Sequence, residues 1–323
     1  KEVFKDEAEK VKLPSFHIKS TPSLIEEETL VPLTKGLLLK GFELDKQDST
    51  IDLTRTASKM AAVDLTEGRK NEFTPEYKYV DNHVREKFAE YIATLSAEGK
   101  VNQVAGRLAA HIRKVDDISH KQIERYIRKI LSPLSSEKLT DISAYEGFYA
   151  GLIKKKISDL ADAYAIDEFS KSLDKGTIVC EPSFSFPVKI QPKNTYQGIT
   201  KNLYVEEGEM NGFERRVINE VANLDSVVFW HRNLERGKGF LLNGFLNHYP
   251  DFIVKMKNGM IVLIETKGDD RDGSDSKKKL KLGKIWQAKA GESKYRYFMV
   301  YESDRLEEAR TVAELVDILK DMK

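Results

Sequence analysis

The stretch that most constrains the fold of this chain is NHYPDFIVKMKNGMIVLIETKG, residues 247–268. Two runs rich in Val, Ile, Phe and Met flank the dipeptide Asn258-Gly259, which is a strong short-range signal for a β-hairpin. Charged side chains stand where a buried strand does not need them, because Asp251 begins the first run while Glu265 and Lys267 end the second. The stretch therefore predicts a buried hairpin with charged groups at one end.

The length of the turn decides whether the two carboxylates meet. A two-residue turn would place Asp251 opposite Thr266, and Asp251 would then face away from Glu265, because successive strand residues point to opposite faces. A three-residue loop with Gly259 left-handed in a bulge pairs Asp251 with Glu265 instead. That register also leaves one face of the hairpin wholly apolar, so we predict the bulged loop.

The charged end of the hairpin has the residues of a hydrolytic site. Two carboxylates that converge at a strand end can hold a hard divalent cation through oxygen ligands. An adjacent lysine can orient an attacking water or stabilise the charge that develops on a phosphate. Asp251, Glu265 and Lys267 thus indicate metal-dependent phosphodiester hydrolysis, with a solvated strand edge or an ion pair as the structural alternative.

Glu214 is a further candidate, on the helix before the hairpin. It falls within the apolar stripe of that helix, where a carboxylate needs a partner or a metal because an isolated buried charge is costly. A place near the carboxylate face of the hairpin and a salt bridge with a neighbouring arginine are both open.

A lysine-rich segment follows the hairpin. The sequence KKKLKLGKIWQAK, residues 277–289, contains six lysines and no carboxylate. Beside a phosphodiester site these lysines are candidates for contact with the DNA backbone, whereas the alternative is a solvated basic helix face. Gly283 weakens the helix prediction. The lysines are Lys277, Lys278, Lys279, Lys281, Lys284 and Lys289.

The order Pro250-Asp251, then Glu265-Thr266-Lys267, resembles the PD-(D/E)xK nuclease superfamily. The sequence ETKG, followed by the lysine-rich segment and a Trp-Gln pair, resembles more narrowly the C-terminal endonuclease region of type III restriction enzyme Res subunits. The resemblance covers residues 206–302 and implies an α/β nuclease core ordered helix, three strands, helix, strand, with a mixed sheet. It implies Asp251, Glu265, Lys267 and Glu214 as catalytic residues, Asp251, Glu265 and Thr266 as metal ligands, and Gln287 as a DNA-contacting helical glutamine.

The resemblance also implies partners and cofactors. It predicts an enzyme that hydrolyses double-stranded DNA with Mg²⁺, or Mn²⁺ in its place, alongside a modification methyltransferase subunit. The phosphate-binding pattern G-x-x-x-x-G-K-[ST] is absent from the sequence, so ATP would serve only a motor region that this chain lacks. A repair or recombination nuclease fused to a helicase, and a non-catalytic DNA-binding or docking module of the same fold, are the alternatives.

The remaining sequence predicts the domain organisation. A chain of 323 residues is long enough for two or three domains. Proline and glycine break the apolar runs of the N-terminal part, and helical spacing follows it. The predicted parts are a β-rich segment at 1–70, a mainly helical module at 71–176, a connecting segment at 177–205 and the endonuclease domain at 206–323.

Composition limits the environment and the mode of DNA contact. The net charge is only +1, so contact with DNA must come from local patches. The one cysteine, Cys180, fits a reducing compartment and lies in an apolar run that suggests core packing. No apolar run approaches the ~18 residues of a membrane span, which favours a cytoplasmic protein without membrane contact. Because the chain begins at Lys1, we expect it to be part of a longer protein.

Overall fold

A computed structural model describes residues 2–20, 29–55, 90–92, 94–268, 273–302 and 306–322. Residues 56–89, where the predicted helical module begins, lie outside the described residues. Within the described ranges the chain is mixed α/β, and no helix there combines the length and apolar character needed to cross a membrane.

The secondary structure of the described residues alternates between helical and β-rich stretches. The helices are α1 (Lys5–Glu9), α2 (Lys35–Leu38), α3 (Ala97–Ile112), α4 (His120–Leu131), α5 (Ser136–Ala144), α6 (Glu146–Asp174), α7 (Gly212–Ala222), α8 (Gly273–Ala290) and α9 (Val312–Asp321), with short 3-10 segments at Glu2–Phe4, Leu39–Gly41 and Leu44–Lys46. The strands are β1 (Leu13–Lys19), β2 (Leu30–Pro32), β3 (Ile178–Phe184), β4 (Thr195–Tyr196), β5 (Glu207–Gly208), β6 (Val227–Arg232), β7 (Phe252–Met256), β8 (Ile261–Lys267) and β9 (Tyr295–Tyr301).

The chain divides into two compact units. One consists of Lys1–Lys35 with Glu168–Lys323, and the other of Gly36–Asp167. The first unit thus groups the N-terminal strand and residues 177–205 with everything from 206 onward, which the sequence-based division treats as separate parts.

The second unit is built from helices with serine N-caps. The side chain of Ser96 accepts a hydrogen bond from the backbone of Gly99 at the start of α3, and Ser119 and Ser135 cap α4 and α5 in the same way. A serine cap satisfies a backbone N–H that has no partner within the helix. The described residues from 97 to 174 are mainly helical, as the periodicity predicts for this module. The predicted β-rich segment at 1–70 needs correction, because Lys35–Leu38, Leu39–Gly41 and Leu44–Lys46 are helical turns.

The larger sheet of the first unit has the strand order β6-β7-β8-β9. The first two pairings are antiparallel and β8 pairs with β9 in parallel, so the sheet is mixed. Along the chain the order is α7, three strands, α8 and β9, as predicted. Helix α7 begins at a capping box formed by Asn211 and Glu214. Thr311 and Glu314 form the capping box of α9.

The hairpin of β7 and β8 has the predicted bulged register. Val254 lies opposite Val262, and Phe252 lies opposite Ile264. The backbone N–H of Met256 donates to the carbonyl of Met260 at 2.9 Å. Gly259 has a φ of +92°, the left-handed region that the three-residue loop needs.

The sheet is buried on both faces, which differs from the prediction of one apolar and one polar face. Phe252, Val254 and Ile264 belong to the core cluster that includes residues of α7 and α9. On the opposite face Leu263 and Tyr297 are also fully buried. Helix α8 covers that face, so the charged groups are confined to the end of the hairpin.

Helix α8 runs through Gly283 without a break, contrary to what glycine suggests by propensity. A Cβ atom at Gly283 would lie 2.3 Å from Cδ1 of Tyr297, which is too close for any side chain. The glycine therefore lets the helix lie directly against the tyrosine ring of β9.

The N-terminal strand is built into the first unit. Strand β1 is the central strand of a sheet ordered β2-β1-β3. The indole N–H of Trp286 on α8 donates to the carbonyl of Pro14 at 2.8 Å, and the hydroxyl of Tyr295 donates to the carbonyl of Lys12 at 2.6 Å. The side-chain amide of Asn243 donates to the carbonyl of Phe16 at 2.7 Å. The segment thus contributes to the same core as α8 and β9.

Candidate functional site

The charged end of the hairpin is a compact cluster in the first unit. Asp251 immediately precedes β7. Glu265 and Lys267 lie among the last three residues of β8. Because Phe252 pairs with Ile264, continuing the register places Asp251 opposite Glu265. The bulged loop therefore brings together the two carboxylates that the sequence singles out.

Asp251 is held by three donors. The backbone N–H of Thr266 donates to its Oδ2 at 2.6 Å, and the hydroxyl of Thr266 donates to the same oxygen at 2.8 Å. Arg232 Nη1 lies 3.1 Å from Oδ1. Burial and the charge of Glu265 raise the pKa of Asp251 to about 6, although Arg232 and the bonds from Thr266 oppose that change. The two carboxylates are thus electrostatically coupled.

Glu265 is more deeply buried than Asp251, and one of its carboxylate oxygens contacts two lysine side chains. Its Oε1 lies 3.0 Å from Lys267 Nζ and 3.5 Å from Lys279 Nζ on α8. Burial lowers the pKa of Lys279, but the charges of Glu265 and Asp275 outweigh it, so that pKa is raised above its ordinary value. The second oxygen, Oε2, is buried and has no hydrogen-bond partner within the described residues.

Glu214 reaches the cluster through an arginine. Arg232 Nη2 lies 3.1 Å from Glu214 Oε1, while its Nη1 contacts Asp251, so the guanidinium bridges the two carboxylates. The other oxygen of Glu214 accepts a hydrogen bond from the N–H of Asn211 in the capping box. Burial raises the pKa of Glu214, the arginine lowers it, and Asp251 raises it further. The salt bridge is therefore present, while α7 packs on the apolar face of the sheet and Glu214 is linked to Asp251 through Arg232.

A histidine and a tyrosine lie on the other side of Glu265. His248 Nε2 is 2.9 Å from Tyr297 Oη and 3.8 Å from Glu265 Oε2. Burial, with the positive charges of Lys279 and Lys267, lowers the pKa of His248 well below its ordinary value, so the ring is neutral. Burial and the nearby carboxylates raise the pKa of Tyr297 well above 10.0, so its hydroxyl stays protonated.

The predicted DNA-contacting residues of α8 fall into four groups. Lys277, Lys281 and Lys289 are exposed, and Lys278 and Lys284 are half-buried. Lys279 instead points to Glu265. Gln287 is buried, and its side-chain oxygen accepts a hydrogen bond from the N–H of Tyr297 at 3.0 Å, so it joins α8 to the edge of β9.

The cluster has the carboxylate oxygens that a hard metal cation prefers as ligands, but it has few of them. The part of the chain that the structure describes contains no group of three or more His, Cys, Asp and Glu side chains arranged to hold a metal. Asp251 and Glu265 supply carboxylate oxygens, and the unpaired Oε2 of Glu265 is the buried atom that a bound cation would satisfy. Thr266 uses its N–H and hydroxyl to orient Asp251. Two carboxylates with one open buried oxygen fit a divalent cation that also keeps water ligands.

Sequence reasoning missed Arg232 and Tyr297 as members of the site and left His248 without a role. Arg232 ends the apolar run of β6. A charged side chain at the end of such a run was the available signal that it pairs with a buried carboxylate. Tyr297 lies within the apolar strand β9, and nothing in the local pattern separates it from core residues. Cys180 is no nucleophile, because burial and the neighbouring charge of Glu181 raise the pKa of its thiol to about 12.

Comparison of the whole chain with models of protein families, with curated proteins and with solved structures finds no match in any of the three. The proposal of a function therefore depends on the geometry of this site.

Proposed function

We propose that this chain is a metal-dependent endonuclease domain that hydrolyses DNA phosphodiester bonds. In this proposal the first unit contains a nuclease core of the PD-(D/E)xK type, and the chain corresponds to the C-terminal part of a type III restriction Res subunit. A modification methyltransferase would then be its partner, and ATP would act only on a motor region elsewhere.

The observation that carries the proposal is the position of Asp251 and Glu265. The bulged loop at Gly259 pairs the strands so that both carboxylates meet at one end of the hairpin. Lys267 lies 3.0 Å from Glu265 and is largely buried with it. Burial and the charge of Glu265 raise the pKa of Asp251, and perturbed pKa values of this kind cluster at functional sites.

Asp251 and Glu265 would hold the divalent cation, with Thr266 orienting Asp251. When bound, such a cation polarises a phosphoryl oxygen and lowers the pKa of a bound water. Lys267 would orient the attacking water or neutralise the negative charge that develops on the phosphate. Arg232 would keep Asp251 and Glu214 paired in a low-dielectric environment, where a lone carboxylate is costly.

The substrate class follows from the charge around the site. The side chain of Lys279 reaches Glu265, so the part of α8 near this residue lies beside the carboxylates. Lys277 and Lys281 share an exposed face of α8, on the side of the helix away from Lys279. Exposed lysines on a helix that borders the carboxylates suit a phosphate backbone, whose binding is dominated by positive charge.

Metal binding and cleavage test the proposal together. Purified chain should bind Mn²⁺ in calorimetry and nick plasmid DNA with Mg²⁺ or Mn²⁺, and excess chelator should stop the nicking. Asp251→Asn and Glu265→Gln should lose both properties, and Lys267→Ala should lose cleavage while it still binds DNA. Glu292→Gln is the matched control, because this exposed glutamate pairs with Arg296 outside the site.

The results also separate the competing functions. A chain that binds DNA but binds no Mn²⁺, and whose DNA binding is unchanged by Asp251→Asn, would be a non-catalytic DNA-binding module. Cleavage that continues unchanged in Asp251→Asn would show that the site is wrongly assigned.

A further inference from the structure

Three buried atoms of the cluster have no hydrogen-bond partner among the described residues: Arg232 Nε, Glu265 Oε2 and His248 Nδ1. The other ring nitrogen of the histidine, Nε2, lies 2.9 Å from Tyr297 Oη and 3.8 Å from Glu265 Oε2. Only the shorter of these distances is a hydrogen bond. An unpaired buried acceptor costs free energy, so leaving Oε2 open next to a potential donor is unfavourable for folding alone.

The hydroxyl of Tyr297 determines which neighbour His248 contacts. Because Nε2 is engaged by Oη, the ring does not close the 3.8 Å gap to Glu265 Oε2. Lys267 and Lys279 both lie on the opposite oxygen, Oε1. The carboxylate thus has one oxygen neutralised by two lysines and one oxygen kept open.

The position of Tyr297 is itself fixed by its surroundings. Gly283 of α8 has no side chain and admits the tyrosine ring, since a Cβ there would lie 2.3 Å from Cδ1. The backbone N–H of Tyr297 donates to Gln287 of the same helix at 3.0 Å. The hydroxyl is therefore held at His248 by contacts that do not involve either carboxylate.

We propose that Tyr297 is a positioning residue that, by engaging His248, keeps Glu265 Oε2 open for a divalent cation. This inference rests on the proposed metal site at Asp251 and Glu265. It assigns Tyr297 and His248 a role in cation binding that packing alone would not require.

The test is Mn²⁺ binding to the full chain, measured by calorimetry without DNA. In Tyr297→Phe, Nε2 of His248 loses its partner, and in the tautomer with the proton on Nε2 it can donate to Oε2, so that the cation must displace that bond. Hydrogen bonds to charged groups are among the stronger ones in proteins, so the affinity should fall by about tenfold or more. Adding His248→Leu removes the competing donor, and the double variant should recover most of the wild-type affinity.

Tyr295→Phe is the matched control. Tyr295 is also a buried tyrosine of β9, and its hydroxyl donates to the carbonyl of Lys12 at 2.6 Å, away from Glu265. It should lower thermal stability without changing Mn²⁺ affinity.

The outcomes distinguish a failure of the proposed metal site from a failure of the role proposed for Tyr297. If wild type does not bind Mn²⁺, or Asp251→Asn binds it equally well, the metal site itself is wrong and the inference falls with it. If binding depends on Asp251 but Tyr297→Phe matches wild type, only the inference is wrong. If the double variant does not recover Mn²⁺ affinity, the inference is wrong and Tyr297 serves only in packing. Should Tyr297→Phe not unfold cooperatively, the double variant alone decides, because affinity near wild type supports the inference and lost affinity overturns it.

Discussion

Burial and the neighbouring charge of Glu265 raise the pKa of Asp251 to about 6, even with Arg232 against the same carboxylate. The two carboxylates repel each other, and burial adds to the cost of the charge on Asp251. The structure retains both, and it balances them with Arg232 on one side and Lys267 on the other. Stability is therefore given up at this position in a way typical of functional sites.

The raised pKa of Asp251 predicts how stability depends on pH. Because the folded-state pKa lies above the unfolded one, the contribution of Asp251 is fully present below about pH 4 and is lost as the pH rises through about 6. A shift from 3.8 to about 6 corresponds to on the order of 3 kcal/mol. With chelator present, the free energy of unfolding of wild type should fall by about this amount relative to Asp251→Asn between about pH 4 and pH 8.

Chemical denaturation at the two pH values measures this difference. Asp317→Asn is the control, because Asp317 is exposed and should leave the wild-type pH dependence unchanged. An identical pH dependence in wild type and Asp251→Asn would contradict the buried, coupled carboxylate.

The sequence predicts Asp251, Glu265 and Lys267 because charge is conspicuous inside an apolar hairpin. It does not predict His248 or Tyr297 as neighbours of Glu265, since 49 residues separate His248 from Tyr297 and the contact between these two depends on how β9 packs beside β8. Arg232 was missed for the same reason, because its partners come from α7 and from the start of β7. Local pattern identifies the charges, and tertiary packing selects their partners.

At the scale of elements, turn chemistry was a better guide than propensity. Asn258 and Gly259 predict the hairpin, and the apolar face that the bulged loop leaves predicts its register, for which Gly259 supplies the left-handed residue. Glycine in α8 misleads, because Gly283 lowers helix propensity but is required where the helix meets Tyr297. The same residue type is thus a turn signal in one element and a packing requirement in another.

Replacement of Gly283 by alanine should destabilise the protein despite the better helix propensity of alanine. The added Cβ would lie 2.3 Å from the ring of Tyr297, so the ring or the helix must shift. Overpacking of this kind typically costs about 1–3 kcal/mol. Chemical denaturation measures the change.

Gly106→Ala in α3 is the matched control. No atom lies within 4 Å of a Cβ built there, so the substitution should stabilise the protein by about 0.5–1 kcal/mol. Equal effects of the two substitutions would show that the contact with Tyr297 is not tight.

At the scale of the whole molecule, the first unit is discontinuous in sequence. Strand β1 pairs with β3 across more than 150 residues of intervening chain. Trp286 donates to the carbonyl of Pro14 in this strand, and Tyr295 donates to that of Lys12 just before it. Such long-range pairing leaves no local signature, because the partner strand can come from anywhere in the chain. Sequence analysis therefore placed the start of the C-terminal domain at 206 without its N-terminal strand.

A fragment of residues 206–323 should fail to fold stably by itself. Without residues 1–35 the apolar side chains of Leu13 and Phe16 are missing, and the indole N–H of Trp286 loses its acceptor. An unsatisfied buried donor costs about 1–3 kcal/mol in addition to the lost burial. Circular dichroism should show a cooperative thermal transition for residues 1–323 but none for 206–323. A sharp transition of the short fragment at the same temperature would contradict the role of the N-terminal strand.

Charge at the whole-molecule scale also bears on DNA binding. With a net charge of +1, the protein has almost no overall field to attract a polyanion. Any affinity for DNA must then come from local patches, and the exposed lysines of α8 nearest Lys279 are the candidates. Lys289 lies on the same helix, but ten residues from Lys279 correspond to about 15 Å along the axis.

The double variant Lys277→Gln/Lys281→Gln should therefore weaken DNA binding more than Lys289→Gln/Lys294→Gln, although both lower the net charge by the same amount. Each lost phosphate contact reduces the slope of log affinity against log salt by about 0.9, so the first pair should lower it by about 2. Fluorescence anisotropy with a short duplex at several salt concentrations, with chelator to prevent cleavage, measures both slopes. Equal slopes for the two variants would show that the helix beside the carboxylates does not contact the DNA backbone.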